Sequence, residues 1–275
     1  MATSFQTLIS LLATIALFLT AAEAQRPRPP PRRTSFTVTF NGSRPLDLTF
    51  QGDAYFPPGA TRLRLTKTDV FGNAELNTAG RVLYSNPIRF LGGRRRRARA
   101  SFESTVRFVI TPNRGDTNPP ADGLVFFLAP VNSTPDASGG SFGVFDLTGK
   151  KASVFAVEFD IFSNEWDPSF RHVGIDIQSQ VSSNVTAVDD AILGQEVSAR
   201  IDYNAATNLI RVNGSVGARG FEVSYVYDLS TILPEQVQAG LSAATGGLAA
   251  VHDVVAWSFS STMRRRRPNS GEFEN

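Results

Sequence analysis

The chain has 275 residues, 41% of them hydrophobic, and no cysteine, so it can bury a core of domain size but carries no disulfide framework. Its formal net charge is +2, yet thirteen of the 27 lysines and arginines sit in three clusters: Arg26, Arg28, Arg32 and Arg33; Arg94 to Arg97 with Arg99; and Arg264 to Arg267. Without these clusters, and without Glu23, Glu272 and Glu274, 14 basic residues face 22 acidic ones, so the excess positive charge belongs to arms and one loop around an acidic body. No nucleic-acid-binding motif accompanies that charge, and nucleic acid is not an expected partner.

Taken in order, an apolar run from Leu8 to Thr20 followed by Ala21-Ala-Glu-Ala24 reads as a secretory signal over residues 1–24. It is short for a membrane span, and no other segment is apolar enough to cross a membrane. The expected address is the secretory pathway, with an extracellular or vacuolar end point. In that setting the sequons at Asn41, Asn132, Asn184 and Asn213 are candidate N-glycosylation sites. Residues 25–34, rich in proline and arginine, cannot pack a core and read as an extended arm.

From residue 35 to residue 262 the pattern is strand and turn. Ser35 to Phe40 alternates with period two, and Leu46 to Gln51, Arg62 to Thr66 and Arg81 to Ile88 follow as strands. The run from Gly92 to Arg99 interrupts them with bare arginines before a strand over Phe102 to Ile110. Three readings of that run stay open: a solvated loop, an attraction to acidic polysaccharide or anionic surfaces, and a proteolytic processing site. Ala121 to Pro130 reads as a buried strand entered through a polar turn. Gln195 to Tyr203, Leu209 to Val212 and Phe221 to Tyr227 alternate, Pro234 to Val237 is the one short helical candidate, and Leu241 to Ala244 and Val254 to Ser260 complete the pattern. Many short strands without a long amphipathic helix predict an all-β, antiparallel sandwich. Residues 263–275 read as a basic, disordered tail.

The stretch with most chemistry is 154–178. A strand over Val154 to Phe162 places Glu158, Asp160 and Phe162 on one face. The chain breaks at Ser163-Asn164, turns at Asp167-Pro168 and returns as a strand at His172, bringing Asn164, Asp167 and His172 back toward Glu158 and Asp160. Carboxylates on a buried face need a counter-charge. Hard oxygen ligands suit Ca²⁺, and carboxylates with one imidazole suit Mn²⁺; Asp160 and Asp167 stand where they would bridge two ions.

The run Glu158-x-Asp160-x-Phe162-x-Asn164-x-x-Asp167-Pro168-x-x-x-His172-x-Gly174-Ile175-Asp176 resembles the metal-binding signature of the legume lectins, and the resemblance extends over about residues 35 to 262. It narrows the fold to the legume-lectin jelly roll. It implies Mn²⁺ on Glu158, Asp160, Asp167 and His172, and Ca²⁺ on Asp160, Asn164, Asp167 and the carbonyl of Phe162. It also implies a sugar site in which Asp122, after a cis Ala121–Asp122 bond, accepts from two hydroxyls, Gly140 offers a backbone N–H, Asn164 donates its amide and Phe162 lies under the ring. Gly247 and Leu248, in the loop Thr245 to His252, complete it with backbone N–H groups. That loop's length resembles mannose/glucose-binding members, whereas the Asn164-x-x-Asp167 spacing also occurs in galactose/GalNAc binders. The Arg run departs from the family, which has an aromatic-acidic-glycine turn there.

The expected function is glycan binding without catalysis, of mannose/glucose type, by a homodimer or homotetramer. The alternatives are a galactose/GalNAc binder, or a defence or storage protein of the same fold with altered binding. A glycoside hydrolase on a related sandwich needs a third carboxylate on the Glu158-Phe-Asp160 strand, where this chain has Phe162 and Ser163.

Overall fold

The computed structural model describes residues 32–92 and 98–265. The signal over residues 1–24, the arm up to Pro31, Arg94 to Arg97 and the tail beyond Arg265 lie outside the described residues. In chain order the strands are β1 (Arg32–Thr39), β2 (Leu48–Gly52), β3 (Leu63–Arg64), β4 (Ala79–Tyr84), β5 (Ile88–Arg89), β6 (Leu91–Gly92), β7 (Ala98–Pro112) and β8 (Gly123–Pro130). They continue as β9 (Lys150–Asp160), β10 (His172–Ser179), β11 (Asn184–Ala187), β12 (Glu196–Asn204), β13 (Leu209–Val216), β14 (Arg219–Val226), β15 (Gln236–Ala244) and β16 (Ala250–Arg265).

These strands build two antiparallel sheets. The first runs β1-β16-β7-β12-β13-β14, with β3 on β16 and β6 on β7; the second runs β11-β10-β9-β8-β15-β4-β2, with β5 on β15. The difference between the sheets is visible in their sequences. In β12, Val197, Ala199, Ile201 and Tyr203 are buried and the residues between them face outward, as one-sided packing requires. In β8 every residue but Pro130 is buried, and so is every residue of β9 from Val154 to Asp160. Leu124, Phe126, Leu128, Phe155, Val157 and Phe159 enter the core between the sheets, while Val125, Phe127, Ala129, Val154 and Ala156 enter a second apolar layer with Phe142, Val144 and Phe145. The second sheet is therefore covered on both faces, which is why its strands read as continuous apolar runs.

Arg81 ties that covering loop down. Its guanidinium donates to the carbonyl of Thr134 at 2.6 Å and to Ser133 Oγ at 2.7 Å, and lies over the Phe127 ring at 4.5 Å. In the core, the buried Trp257 donates from Nε1 to Ser104 Oγ at 3.0 Å, so its one polar atom is satisfied.

Several boundaries differ from the sequence reading. β1 starts at Arg32, before Ser35, because Arg32, Arg33 and Thr34 pair with Met263, Thr262 and Ser261 of a β16 that runs on to Arg265. Leu46 is 96% exposed and outside β2. β9 ends at Asp160, so Phe162 is not on the strand. Pro234 to Val237 is not helical; a 3₁₀ turn precedes it at Leu229–Thr231, started by Asp228, whose side chain accepts from the Ser230 N–H. Of the sequon asparagines, Asn41, Asn132 and Asn184 are exposed, and Asn213 lies half-buried on β13. Asn184 Nδ2 already donates to the Ser224 carbonyl at 2.8 Å.

His252 on β16 is fully buried; its Nδ1 lies 3.3 Å from Thr66 Oγ1 and its Nε2 has no partner among the described residues. Burial drives its pKa from 6.5 down to about 3. Between those values the unfolded chain binds a proton that the folded chain refuses, so stability falls as pH drops through that window, by a few kcal/mol to order of magnitude. His252→Gln is expected to flatten this part of the acid limb. Urea midpoints taken stepwise across the window check it, and a slope equal to the parent's would remove His252 from the account.

Candidate metal and carbohydrate site

The outer face of β9 carries Val154, Ala156, Glu158 and Asp160 in alternate positions. The first two pack in the second apolar layer; the next two are carboxylates only 0% and 2% exposed. β10 faces them in register, with His172 opposite Asp160, Gly174 opposite Glu158 and Asp176 opposite Ala156. His172 Nε2 lies 3.0 Å from Glu158 Oε1. Ser182 Oγ stands 2.7 Å from Glu158 Oε1 and 2.6 Å from Asp176 Oδ1. Gly174 is required there, since a Cβ would fall 1.9 Å from Ser182 Oγ and 2.5 Å from Glu158 Oε1.

Glu158, Asp160 and His172 each present a ligand atom within 4.8 Å of the others. Asp167 stands outside that set, held in the following turn. The Asn164 N–H donates to Asp167 Oδ2 at 2.9 Å, and the Asp167 N–H donates to the Asn164 carbonyl at 3.1 Å. The Phe162 N–H donates to Asp160 Oδ1 at 2.7 Å, which fixes the half-buried Phe162 just beyond the strand.

The electrostatics of this cluster are unbalanced. Burial, and then the charge of Glu158, push Asp160 up to about 9. Burial, and then Asp167, push Asp122 up to about 7. Asp167 is raised by burial, and the wholly buried Asp176 is raised well above the carboxylate range by burial and then Glu158. For His172, burial opposes the charged form, but the hydrogen bond and charge of Glu158 outweigh it and the net shift is upward. Glu158 Oε2, Asp176 Oδ2, Asn164 Oδ1 and Asp122 Oδ2 are buried without a hydrogen-bond partner among the described residues. Orphaned oxygens, excess negative charge and one imidazole are the donor chemistry of a hard divalent cation, so these residues fit Ca²⁺ and Mn²⁺.

Beside this cluster four loops converge. Asp122 follows a cis Ala121–Asp122 bond. Its N–H donates to the Ala244 carbonyl at 3.1 Å and its carbonyl accepts from the Ile161 N–H at 3.0 Å, which clamps it between the ends of β15 and β9. The Gly139 N–H donates to the Thr245 carbonyl at 3.2 Å. A Cβ on Gly246 would lie 3.3 Å from Asp122 Oδ2 and 3.3 Å from Gly139 Cα, and one on Gly140 would lie 2.8 Å from Asn164 Oδ1 and 3.1 Å from the Trp166 ring. Asp122, Gly140, Asn164 and the 245–248 loop thus surround one spot. Gly247 is exposed with open space around it, and Leu248 is half-buried, its carbonyl accepting the Gly246 N–H at 3.1 Å. Thr245 anchors the loop from behind, donating from Oγ1 to the Glu75 carbonyl at 2.7 Å and accepting the Thr78 N–H at 2.9 Å.

Sequence reasoning gave no role to Asp176, Ser182 or Trp166. Asp176 was within reach of the period-two rule, since it shares a face with His172 and Gly174. Ser182 arrives through a turn after β10, and no local pattern points it at Glu158.

A sequence model of the legume lectin domain matches residues 33–273. The chain is 37% identical to Agglutinin-2 of Cladrastis kentukea, over 94% of this chain and 90% of that protein, and 37% identical to the lectin of Pisum sativum, over 93% and 90%. Among solved structures it resembles the winged bean acidic lectin complexed with methyl-α-D-galactose, with a TM-score of 0.77 at 33% identity over 85% of this chain and 100% of that one. It also resembles arcelin-5, a lectin-like defence protein from Phaseolus vulgaris, with a TM-score of 0.72 at 27% identity over 84% and 99%. With the family model matching most of its length, and relatives above 30% identity aligned over nearly all of it, the chain belongs to the legume lectin family.

Proposed function

We propose that this protein binds glycans, without catalysis, at the mouth formed by Asp122, Gly140, Phe162, Asn164, Gly247 and Leu248. The observation that carries the reading is the convergence of four loops on one spot beside a charge-starved carboxylate cluster. Legume lectins bind carbohydrate and carry Ca²⁺ and Mn²⁺. In this reading Glu158, Asp160, Asp167 and His172 hold Mn²⁺, and Asp160, Asn164, Asp167 and the Phe162 carbonyl hold Ca²⁺. The ions supply the missing positive charge. Asp122 then accepts from sugar hydroxyls, Gly140 and Gly247 donate from the backbone, and Phe162 supports the apolar face of the ring. Because the loops are ordered beforehand, little binding energy goes into ordering them. The burial of Glu158, Asp160 and Asp176 supports binding over hydrolysis, since a hydrolase needs its carboxylates at the substrate.

The loop from Thr245 to His252 supports a mannose/glucose preference. A galactose/GalNAc preference is the second reading, favoured by structural relatives solved with methyl-α-D-galactose and with GalNAc. One shallow site binds with a Kd on the order of 0.1–1 mM, so useful avidity calls for a homodimer or homotetramer. Legume lectins are typically secreted or vacuolar, and residues 1–24 support the same route here. Among the described residues no helix is long and apolar enough to cross a membrane.

Retention on immobilised mannose, with galactose as the control matrix, tests the reading. Retention is expected to vanish after acid and EDTA treatment and to return with Ca²⁺ plus Mn²⁺. Retention on galactose alone would transfer the specificity to the second reading, and none on either matrix with metals bound would overturn the simple-sugar reading. Gly140→Ala is expected to weaken retention about tenfold or more, because its Cβ would lie 2.8 Å from Asn164 Oδ1 and push that side chain. Asp160→Asn is expected to act in opposite directions on the two forms. In metal-free protein it removes a buried acid that must take up a proton to fold at neutral pH and so stabilises by about 2 to 4 kcal/mol, whereas in Ca²⁺/Mn²⁺ it removes a ligand and lowers the melting temperature. Calorimetry of both forms decides it, and a shift of the same sign in both would refute the metal assignment of Asp160.

A further inference from the structure

Apolar side chains left uncovered by the core are unevenly placed on this molecule. Among the described residues the exposed aromatics are Phe71, Trp166 and Phe170, and all three lie on loops at the end of the sandwich that holds Asp122. The exposed large apolar residues of the other end, Leu46, Leu147, Val181 and Val226, are aliphatic. Phe71 tops a hairpin between β3 and β4. Thr68 bridges to Ala74, and the Asp69 N–H donates to the Asn73 carbonyl at 2.8 Å. Asp69 Oδ1 accepts the N–H groups of Phe71 and Asn73, each at 2.9 Å, and Gly72 supplies the positive φ of 87° that the tip requires. The tip is therefore ordered by its own backbone and one carboxylate, while Val70 and Phe71 stand 93% and 87% exposed.

This hairpin adjoins the mouth. Its foot, Glu75 to Thr78, displays the exposed Leu76 and is tied to the loop after β15. The Asn77 N–H donates to the Gly246 carbonyl at 3.0 Å, and the Thr245 N–H donates to the Thr78 carbonyl at 2.8 Å. Across the mouth, Trp166 sits in the turn from Asn164 to Asp167, its ring 3.1 Å from where a Cβ on Gly140 would stand. Ser163 Oγ donates to the Pro168 carbonyl at 2.6 Å and Arg171 Nε to the Ile161 carbonyl at 3.1 Å, which fastens the connection that carries Phe170. Neighbour by neighbour, the path runs from the hairpin through Gly246, Asp122 and Gly140 to Trp166, so apolar side chains flank the mouth on two sides.

We propose that this end of the sandwich docks on a zwitterionic lipid bilayer, so that the protein binds glycans displayed at a lipid surface. The inference rests on the glycan reading of the mouth. A glycan in the mouth lies between the two apolar flanks, and a broad fluid surface beyond it reaches both. Aromatic rings favour the headgroup layer, where an apolar body and a polar edge are both accommodated. Val70, Phe71 and Leu76 add the contiguous apolar area for shallow insertion. Beside the tip, Lys67 is paired with Glu75 at 2.8 Å, and the exposed Arg114 stands two residues from the exposed Asp116. These described charges make no basic patch that would select anionic lipid.

Phosphatidylcholine vesicles bearing a mannosyl lipid, or a galactosyl lipid if galactose is the sugar retained, test this with the full chain loaded with Ca²⁺ and Mn²⁺. The chain has two tryptophans and Trp257 is buried in the core, so Trp166 supplies the emission that responds to its surroundings. Brominated acyl chains are expected to quench that emission when the vesicles bind. Val70→Ser/Phe71→Ser is expected to weaken vesicle binding about tenfold or more while leaving the affinity for the free methyl glycoside at the parent's value. Emission that brominated lipid leaves unquenched, or parental vesicle binding by the variant, would overturn the proposal. Lost affinity for the free glycoside in the variant would make the hairpin part of the sugar mouth and overturn it as well. Loss in the variant of a dimer that the parent forms, followed by sedimentation, would give the apolar face to a second copy of the chain instead. Intact binding of the free glycoside without quenching refutes the bilayer alone, whereas no binding of either the free or the lipid-borne sugar refutes the glycan reading and this inference with it.

Discussion

The structure depends on a charge problem that the polypeptide does not solve by itself. Glu158, Asp160 and Asp176 are buried on one face of two paired strands, and the single base among them is His172. One imidazole cannot balance that many carboxylates. The protein leaves some of their oxygens without partners and holds the acids in a state that resists ionisation. An interior of this kind is costly alone and favourable around a cation. The glycan reading follows from the same fact, because the turn carrying Asn164 and the strand end adjoining Asp122 grow directly out of the carboxylate cluster.

The fold explains why the cluster can sit there. The second sheet is covered on both faces, by the first sheet and by the loop layer that Arg81 fastens. Along β9 the outer positions go from Val154 and Ala156 to Glu158 and Asp160, so apolar cover and polar site share one face of one strand. The carboxylates are thereby desolvated by the same packing that stabilises the sandwich. Gly174 and Gly140 serve this arrangement by leaving room, the first for Ser182 and Glu158, the second for Asn164.

The sandwich also has two unlike ends. Loops after β8, β9 and β15 gather near Asp122 and carry negative charge and orphaned acceptors; the opposite end of β16 gathers arginines. Antiparallel register is responsible for both, since it returns segments distant in sequence to the same end of a sheet.

The sequence by itself determined the all-β class, the carboxylate-bearing strand–turn–strand over Val154 to Ile177 and the resemblance to the legume lectins. Period-two alternation, the Asp167-Pro168 turn and the return His172 are local signals, and local backbone geometry is enough to interpret them. Asp122, Gly140 and Gly247 were legible only through the family resemblance, because no spacing rule brings residues more than a hundred positions apart to one mouth. Tertiary structure alone decided the rest. It extended β1 back to Arg32 by giving it a partner in β16, ended β9 at Asp160, drew Ser182 and Asp176 into the carboxylate cluster, and set Arg264 beside Arg99. Each of these depends on a partner strand or a packed loop. A chain read one residue at a time shows which groups want a counterpart, and only the folded sheet shows which counterpart they meet.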